Sequence, residues 1–220
     1  MLNLLFPKIC NGCSVVLQSS ENVLCTNCRH ELPLARHHLT GNDQMKQVFY
    51  GRVPVENATA LLYFQKKGIV QRLLHNLKYR GQQQIGTFLG SWLGAELAET
   101  PEYRDISLVI PVPLHKRKRR IRGYNQVSDF GRQLARSLNA EYREDLLLKT
   151  FSTGSQVFQK RSKRFKTEKL FTLSNPEPLQ KKHILLVDDI VTTGATLENC
   201  ANELLANSNV RLSIATMAMA

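Results

Sequence analysis

The chain has 220 residues, enough for one principal domain and a small appendage. Hydrophobic residues make up 42% of the chain and charged residues 22%, which excludes a disordered, collagenous or coiled-coil protein. The net charge is +12, and nearly all of it comes from residues 110–170, which contain 16 Lys and Arg but only 5 Asp and Glu. This concentration indicates a surface for an anion, whether phosphate, nucleotide or nucleic acid.

The N-terminal residues give no sign of export or of a membrane anchor. Residues 1–7 lack a basic region, and their apolar run is too short for a secretion signal. No segment reaches the roughly 18 apolar residues of a membrane-spanning helix. The sequence therefore predicts a cytoplasmic protein without membrane insertion, in which cysteines hold metals or do chemistry more often than they form disulfides.

Two Cys-x-x-Cys pairs lie near the N-terminus, separated by 11 residues: Cys10, Cys13, Cys25 and Cys28. Two thiolates on a tight turn can point at one cation, and two such pairs complete a tetrahedral shell. This pattern predicts a structural zinc site, because a closed shell of four thiolates leaves no open position for catalysis. Four unrelated thiols, redox dithiols, or His30 in place of Cys28 are the alternatives.

The next segments are predicted mainly as connections and packing elements. Residues 31–60 are poorly periodic and predict a linker, with His37 and His38 in a solvated turn. Apolar residues at helical spacing predict helices over Gly68–Tyr79 and from about Gln83 to Leu97.

A buried strand is predicted over Ile106–Val112, and a basic loop follows it. The loop leads into a predicted helix from about Gln126 to Leu138, so that backbone N–H groups and cations together favour an anion site. Its cations have two interpretations, a solvated face or a nucleic-acid site: Lys116, Arg117, Lys118, Arg119 and Arg120. The residues after them are more specific, since Gly permits close approach and amides orient a ligand: Arg122, Gly123, Asn125 and Gln126.

A second basic stretch, Thr150–Lys169, follows a possible strand at Leu146–Leu148. Phe151, Phe158 and Phe165 recur in it every seven residues. These rings could stack the bases of single-stranded nucleic acid, or they could anchor a mobile flap to the core. Such a long segment with little order of its own also suggests a lid.

The most specific motif follows the apolar run Ile184–Val187, which predicts a strand buried on both faces. Asp188 and Asp189 come at its carboxyl end, where open α/β sheets bind ligands. The hydroxyl-rich loop that leads into the last helix can cradle a phosphate: Thr192, Thr193, Gly194, Ala195 and Thr196. Adjacent carboxylates suit a diol or a hydrated cation, so the motif describes a ribose 5-phosphate.

The chain lacks the sequence motifs of two other classes of nucleotide-binding protein. A nucleoside triphosphatase with an Asp-bearing strand needs a Gly-Lys pair in its phosphate loop, and no Gly in this chain is followed by Lys. No G-x-G-x-x-G pattern is present either, which weakens dinucleotide binding.

The motif from Val187 to Thr196 resembles the phosphoribosyl pyrophosphate (PRPP) binding motif of type I phosphoribosyltransferases. Together with the four cysteines, the chain resembles the ComF family (competence protein F, GntX-like) through these further segments: Pro111-Val112-Pro113-Leu114-His115, Arg122-Gly123-Tyr124-Asn125-Gln126, Thr153-x-x-Gln156 and Arg164. The resemblance implies an α/β fold with a twisted parallel sheet flanked by helices. It also implies a small zinc-finger module, residues 1–45, in the hood position of a phosphoribosyltransferase-like domain, residues 46–220.

The resemblance also implies roles for individual residues. Asp188 and Asp189 would hold the ribose hydroxyls, and Thr192–Thr196 the 5-phosphate. The loop after Val112 would face the pyrophosphate. The segment Lys149–Phe171 would be a flexible loop that closes over the pyrophosphate, and it carries Thr153, Gln156 and Arg164. Thr167 departs from the family, which usually has Asn at this position.

The family is associated with uptake of single-stranded DNA in natural transformation. Two hypotheses follow for this chain. One is a transferase that uses PRPP and Mg²⁺ with an unknown acceptor, and the other is a non-catalytic protein that senses PRPP or binds single-stranded DNA. The expected partners are DNA-uptake or recombination proteins.

Overall fold

The computed structural model describes residues 7–150, 170–175, 179–207 and 209–220. In these ranges the helices, numbered in chain order, are α1 Thr26–His30, α2 His37–Thr40, α3 Gln44–Gln47, α4 Ile69–Tyr79, α5 Gln84–Glu99, α6 Lys116–Arg122, α7 Ser128–Ser137 and α8 Ala195–Asn207. The strands are β1 Ala58–Tyr63, β2 Leu108–Pro111, β3 Glu141–Tyr142, β4 Leu147–Lys149, β5 Phe171–Leu173, β6 His183–Val191 and β7 Arg211–Met219.

A parallel sheet with the strand order β1-β7-β6-β2-β3 organises the chain. The central strands β6 and β7 are buried along almost their whole length, and most of their residues are apolar, with the unbroken run Ile184–Val187 in β6. Helices cover the sheet, and the buried apolar residues form one cluster with α4, α5 and α7 and another with α8. The predicted α/β class with a parallel sheet is confirmed.

The four-cysteine segment packs onto this domain. Cys10, Val23 and Cys28 belong to the same apolar cluster as Leu61 of β1 and Leu73 of α4. The small module therefore shares its core with the larger one. The boundary between residues 45 and 46 stays a prediction.

Residues 31–60 are not the linker that the sequence predicted. They form α2 and α3 and lead into β1, which pairs with β7 along one edge of the sheet. His37 is 3% exposed, and its Nδ1 accepts a hydrogen bond from the backbone N–H of Ala60 at 3.3 Å. Burial, followed by the charge of His38, lowers the pKa of His37. The histidine pair is therefore a packed polar group and the prediction of a solvated turn was wrong.

The cations Lys116–Arg120 lie on a helix, α6, and not in the predicted loop. The side chain of His115 accepts a hydrogen bond from the N–H of Arg117 and caps the first turn, while Gly123 ends the helix in a left-handed conformation with φ +79°. Lys and Arg have high helix propensity, and cations in the last turn favour the helix dipole. These local terms outweigh the repulsion between neighbouring cations.

Close packing of α5 against α7 fixes the helix that follows the predicted ligand loop. A Cβ on Gly90 would lie 2.7 Å from the carbonyl oxygen of Phe130, so only glycine lets the two helices approach this closely.

None of the helices in the described ranges combines the length and apolar character that crossing a membrane requires.

Candidate functional site

The threonine loop, residues 192–196, comprises the turn after β6 and the first two residues of α8, at the carboxyl edge of the sheet. Its hydroxyl-bearing residues Thr192, Thr193 and Thr196 are exposed, while Gly194 is buried at φ +75°. A small cavity of about 40 Å³ is lined by residues 190–197 and by Asp188. Threonine hydroxyls, the N–H groups at the start of α8 and the helix dipole make this cavity suited to a single phosphate-sized anion, and the N–H of Ala195 already donates to Thr193 Oγ1 at 3.4 Å.

Strand β6 extends further than the sequence indicated. It was predicted to end before Asp188 but runs to Val191, so both carboxylates lie within the strand and not after it. The cause is continued parallel pairing with β7, in which Asp188 is opposite Thr216 and Val191 opposite Met219. The strand therefore carries both carboxylates up to the threonine loop.

Arg52 fixes the threonine loop from outside the motif. Its guanidinium donates to the carbonyl of Thr193 at 2.7 Å, donates to the carbonyl of Val48 at 3.0 Å, and pairs with Glu198 of α8. Arg52 stands 141 residues before Thr193, in the segment predicted as a linker, and no sequence pattern marked it.

The carboxylate of Asp189 has partners inside the protein on both oxygens. The ammonium of Lys78, from the last turn of α4, lies 3.0 Å from Oδ1, and Gln126 donates to Oδ2 at 2.8 Å. Asp189 is only 5% exposed. The sequence did not identify Lys78 as a site residue either, because a cation in the last turn of an amphipathic helix is usually a solvated surface residue.

Asp188 faces the cavity and has a different electrostatic environment. Burial and the charge of Asp189 raise its pKa to about 8, although the N–H of Asp189, Lys78 and Lys149 act in the opposite direction. The N–H of Asp189 donates to its Oδ1 at 2.8 Å. Asp188 is thus a carboxyl group that a cation or a ligand can draw into its ionised form.

A larger cavity of about 330 Å³ lies beside α6 and β4. We call it the cationic cavity because three cations line it, Lys116, Arg119 and Lys149; His115 and one carboxylate, Glu144, which pairs with Arg119 at 3.7 Å, also line it. Lys149 also acts electrostatically on Asp188, so it links this cavity to the small one. Burial lowers the pKa of Lys149. The two cavities share no lining residue, but each has a charged group, Lys149 or Asp188, that acts electrostatically on the other.

Two of the residues predicted to contact pyrophosphate, Arg122 and Asn125, use their side chains in hydrogen bonds to other residues of the protein. Arg122 donates to Gln126 at 2.9 Å, and Asn125 donates to the carbonyl of Val112 at 3.0 Å. Asn125 also lines the larger cavity. Thr153, Gln156 and Arg164, together with the phenylalanines of the second basic stretch, lie outside the described residues.

The four cysteines form a compact cluster in which all sulfur atoms lie within 4.8 Å of one another. Cys13 Sγ and Cys25 Sγ are 3.7 Å apart, close to the separation in a tetrahedral thiolate shell of zinc, whose Zn–S bonds measure about 2.3 Å. The N–H groups of Gly12 and Cys25 both donate to Cys10 Sγ at 3.3 Å. The cluster can hold a metal ion, and it is complete without His30 in the described part of the chain.

Electrostatics favour the thiolate form of one cysteine of the cluster, Cys10, whereas the pKa values of Cys25 and Cys28 are raised. Burial opposes ionisation of Cys10, but the N–H groups of Cys25, Cys13 and Gly12 outweigh it and lower the pKa of this thiol to about 7. Gly12 has a steric role as well, because a Cβ there would lie 2.8 Å from Cys28 Sγ.

Comparisons with known proteins agree with this architecture. The phosphoribosyl transferase domain family matches residues 128–220. The DNA utilization protein YhgH of Escherichia coli O157:H7 is 28% identical over 94% of this chain and 88% of its own length. Competence protein F of Haemophilus influenzae is 25% identical over 86% of this chain and 80% of its own length.

Among solved structures, a hypoxanthine phosphoribosyltransferase from Staphylococcus aureus is 22% identical, with a TM-score of 0.35 over 61% of this chain and 63% of that protein. A likeness of this size bears on no individual residue. The family match ends where the chain ends and begins at α7, so it includes β6, the threonine loop and α8. This chain is therefore a homologue of the DNA utilization and competence F proteins that carries a phosphoribosyl transferase domain in its C-terminal part.

Proposed function

We propose that the carboxyl edge of the sheet binds PRPP or a closely related sugar phosphate. The observation that carries this proposal is the pairing of a phosphate-sized cavity, formed by the threonine loop, with a carboxyl group in its wall, that of Asp188. The loop suits the 5-phosphate, and Asp188 suits the ribose hydroxyls. Asp189 was predicted to do the same, but its bonds to Lys78 and Gln126 favour an anchoring role.

In this proposal the cationic cavity binds a second anionic group of the same ligand. Lys149, Lys116 and Arg119 line it, and Lys149 interacts with Asp188. Pyrophosphate at this position would be neutralised by side chains from two different elements, α6 and β4. Mg²⁺ would fit beside Asp188, the carboxyl group that lines the small cavity, and would supply charge neutralisation on the pyrophosphate.

If the protein is a transferase, the reaction displaces pyrophosphate from the anomeric carbon of PRPP. The transition state separates a cationic ribose from a departing polyanion. Lys149 and the cations of α6 would stabilise the negative charge that develops on the leaving group, and Asp188 would hold the sugar in place.

Calorimetry tests the binding proposal. The native protein is titrated in Mg²⁺ buffer with PRPP, with ribose 5-phosphate and with pyrophosphate. We expect PRPP to bind more tightly than either part, and Asp188→Asn to lose roughly tenfold in affinity, about 1.4 kcal/mol. Asp43→Asn, at an exposed carboxylate outside the site, should bind as the native protein does. Absence of heat with PRPP would overturn the proposal. A separate assay tests turnover by measuring the release of pyrophosphate from PRPP in the presence of candidate acceptors, which are nucleobases and DNA.

The metal of the cysteine cluster is, in this proposal, zinc. Four thiolates with short sulfur separations and N–H···S bonds suit a closed tetrahedral site with a structural role. Metal analysis of freshly purified protein should give one zinc per chain. Well under one equivalent would contradict the assignment.

A second candidate function, binding of single-stranded DNA, is favoured by a specific surface. On α6 the Ile121 side chain is 77% exposed among the cations, and Tyr79 nearby is 66% exposed. The guanidinium carbon of Arg122 lies 5.1 Å from the centroid of the Tyr79 ring. A basic helix next to an exposed aromatic ring suits a sugar-phosphate backbone whose bases stack. DNA-uptake or recombination proteins are the partners that this function implies.

Salt dependence distinguishes this second candidate. The affinity for a labelled single strand should fall steeply with salt, and the combined variant Arg117→Gln, Lys118→Gln and Arg120→Gln should flatten that slope, by about 0.7 for each phosphate that the variant no longer neutralises. The matched pair Lys66→Gln and Lys67→Gln, away from α6, should leave the slope unchanged. An unchanged slope in the α6 variant would remove α6 as the DNA surface.

A further inference from the structure

A third cavity, of about 510 Å³, lies between the four-cysteine segment and the C-terminal end of α4. Cys10 and Asn11 form part of one wall, and Asn76 and Arg80 form part of the other. The volume falls within the range of about 300–1,000 Å³ that is typical of small-molecule sites. Neither the threonine loop nor the cationic cavity shares a lining residue with it.

Carboxamide side chains dominate the polar part of this cavity: Asn11, Asn22, Asn76, Gln82 and Gln84. Each carries both a donor and an acceptor, which is the combination that matches the edge of a nucleobase. Several are oriented by contacts within the wall. Asn11 Nδ2 donates to the carbonyl of Val23 at 3.1 Å, and Gln84 Nε2 donates to Gln82 Oε1 at 2.9 Å. Hydrogen-bonding groups are therefore held in place before a ligand arrives.

The cavity is also electropositive. Lys8 and Arg80 line it, and no Asp or Glu does. Within the described ranges of the chain, neither cation has a carboxylate partner at ion-pair distance. An anionic group can therefore bind here without displacing an existing partner.

Helix α4 separates this cavity from the sugar-phosphate site. Asn76 and Lys78 are two positions apart, so their side chains leave the helix about 200° apart. Lys78 contacts Asp189, whereas Asn76 Nδ2 donates to the carbonyl of Asn11 at 3.3 Å on the side of the cysteine segment. The last turn of α4 thus has one site on each side.

We propose that this cavity is a second ligand site, which binds a nucleoside 5′-monophosphate. The carboxamides would contact the edge of the base, and Lys8 and Arg80 would bind the phosphate. The proposal goes beyond the PRPP site and does not depend on it. Because a nucleotide at the end of a nucleic-acid strand offers the same chemistry, a 5′-phosphorylated dinucleotide serves as a comparison ligand.

The test is calorimetry on the full, zinc-loaded chain with AMP, GMP, CMP and UMP. We expect at least one of them to bind with a Kd below about 1 mM, more tightly than its nucleoside and more tightly than the dinucleotide. Arg80→Gln and Gln82→Ala should each weaken binding at least about fivefold. Arg104→Gln, which changes an exposed arginine outside the cavity, is the matched control and should bind as the native protein does.

Further arms separate this site from the PRPP site. Saturating PRPP should leave nucleotide binding unchanged, and so should Asp188→Asn. Three outcomes would overturn the proposal: no binding by any of the four nucleotides, binding that Arg80→Gln does not weaken, or displacement of the nucleotide by PRPP. Tighter binding of the dinucleotide would assign the cavity to nucleic-acid ends instead. If PRPP does not bind at all, the titrations of the native protein and of Arg80→Gln still decide this proposal, while the PRPP-site proposal fails separately.

Discussion

The ammonium of Lys78 lies 3.0 Å from Oδ1 of Asp189, and this contact distinguishes the roles of two adjacent carboxylates. Asp189 is held by Lys78 and Gln126, whereas Asp188 lines the small cavity of the threonine loop. Asp189 thereby ties α4 and the segment before α7 to the central strand. The sequence presents the two aspartates as equivalent, but in the fold only Asp189 is bonded to Lys78 and Gln126, and we propose that only Asp188 contacts a ligand.

Removal of Lys78 should destabilise the fold. In Lys78→Met, Asp189 keeps its charge in a nearly buried position but loses its cation. We expect a loss of about 1–3 kcal/mol in the free energy of unfolding, below the range for fully buried pairs because Lys78 is 22% exposed. Urea denaturation measures it.

The double variant Lys78→Met, Asp189→Asn supplies the control. Since it removes both charges, it should be more stable than Lys78→Met alone. A double variant that is no more stable than the single one would show that the ion pair is not the cause.

Asp188 should reduce stability at neutral pH. Its pKa is raised from 3.8 to about 8 in the folded chain, so between these values the native state holds one more proton than the unfolded state. Stability from this group therefore falls as pH rises, by up to about 1.4 kcal/mol per pH unit, and levels off above about pH 8.

Asp188→Asn removes this titration. The variant should have a higher Tm than the native protein at pH 7, and the difference should grow between pH 5 and pH 8. Thermal unfolding in buffer without added Mg²⁺ or chelator checks it. A difference in Tm that does not change with pH would contradict the assigned pKa.

Arg52 should control ligand affinity without touching the ligand. Arg52→Ala loses the bonds to the Thr193 carbonyl and to Glu198, so the threonine loop is less well fixed before binding. We expect PRPP affinity to fall about tenfold, with Arg52→Lys recovering only part of it because an ammonium lacks the planar fork of guanidinium. Calorimetry with PRPP measures the loss, and equal affinity in Arg52→Ala and the native protein would be inconsistent with this role.

Gly12 should be required for the metal cluster. A Cβ at this position meets Cys28 Sγ at 2.8 Å, so Gly12→Ala must displace one of the four sulfur atoms. We expect reduced zinc content, measured by metal analysis, and a lower Tm. Gly41→Ala is a suitable comparison, because a Cβ at Gly41 meets nothing within 4 Å and the change adds only backbone strain. Full zinc occupancy in Gly12→Ala would refute the steric argument.

Much of the site was predictable because its signals are local. The apolar run Ile184–Val187 predicts a strand buried on both faces, and a hydroxyl-rich loop after such a strand indicates an anion site. The two Cys-x-x-Cys pairs likewise specify their cluster through spacing alone. In these segments the residues that form the signal lie close together in sequence, although their partners in space can be distant in the chain.

The residues that sequence reasoning missed act over long distances in the chain. Arg52 reaches Thr193 across 141 residues, and Lys78 reaches Asp189 across 111. Their local patterns are those of ordinary solvated cations. The helix α6 was missed for another reason, since a run of cations suggests a loop unless its cap at His115 and its end at Gly123 are weighed against charge repulsion.

A crystal structure of the protein with PRPP and Mg²⁺ tests the central claim most directly. We expect the 5-phosphate within hydrogen-bond distance of the N–H groups and hydroxyls of residues 192–196, with Asp188 on the ribose and Asp189 still bonded to Lys78. PRPP bound elsewhere, or a threonine loop that remains empty at saturating PRPP, would contradict this claim.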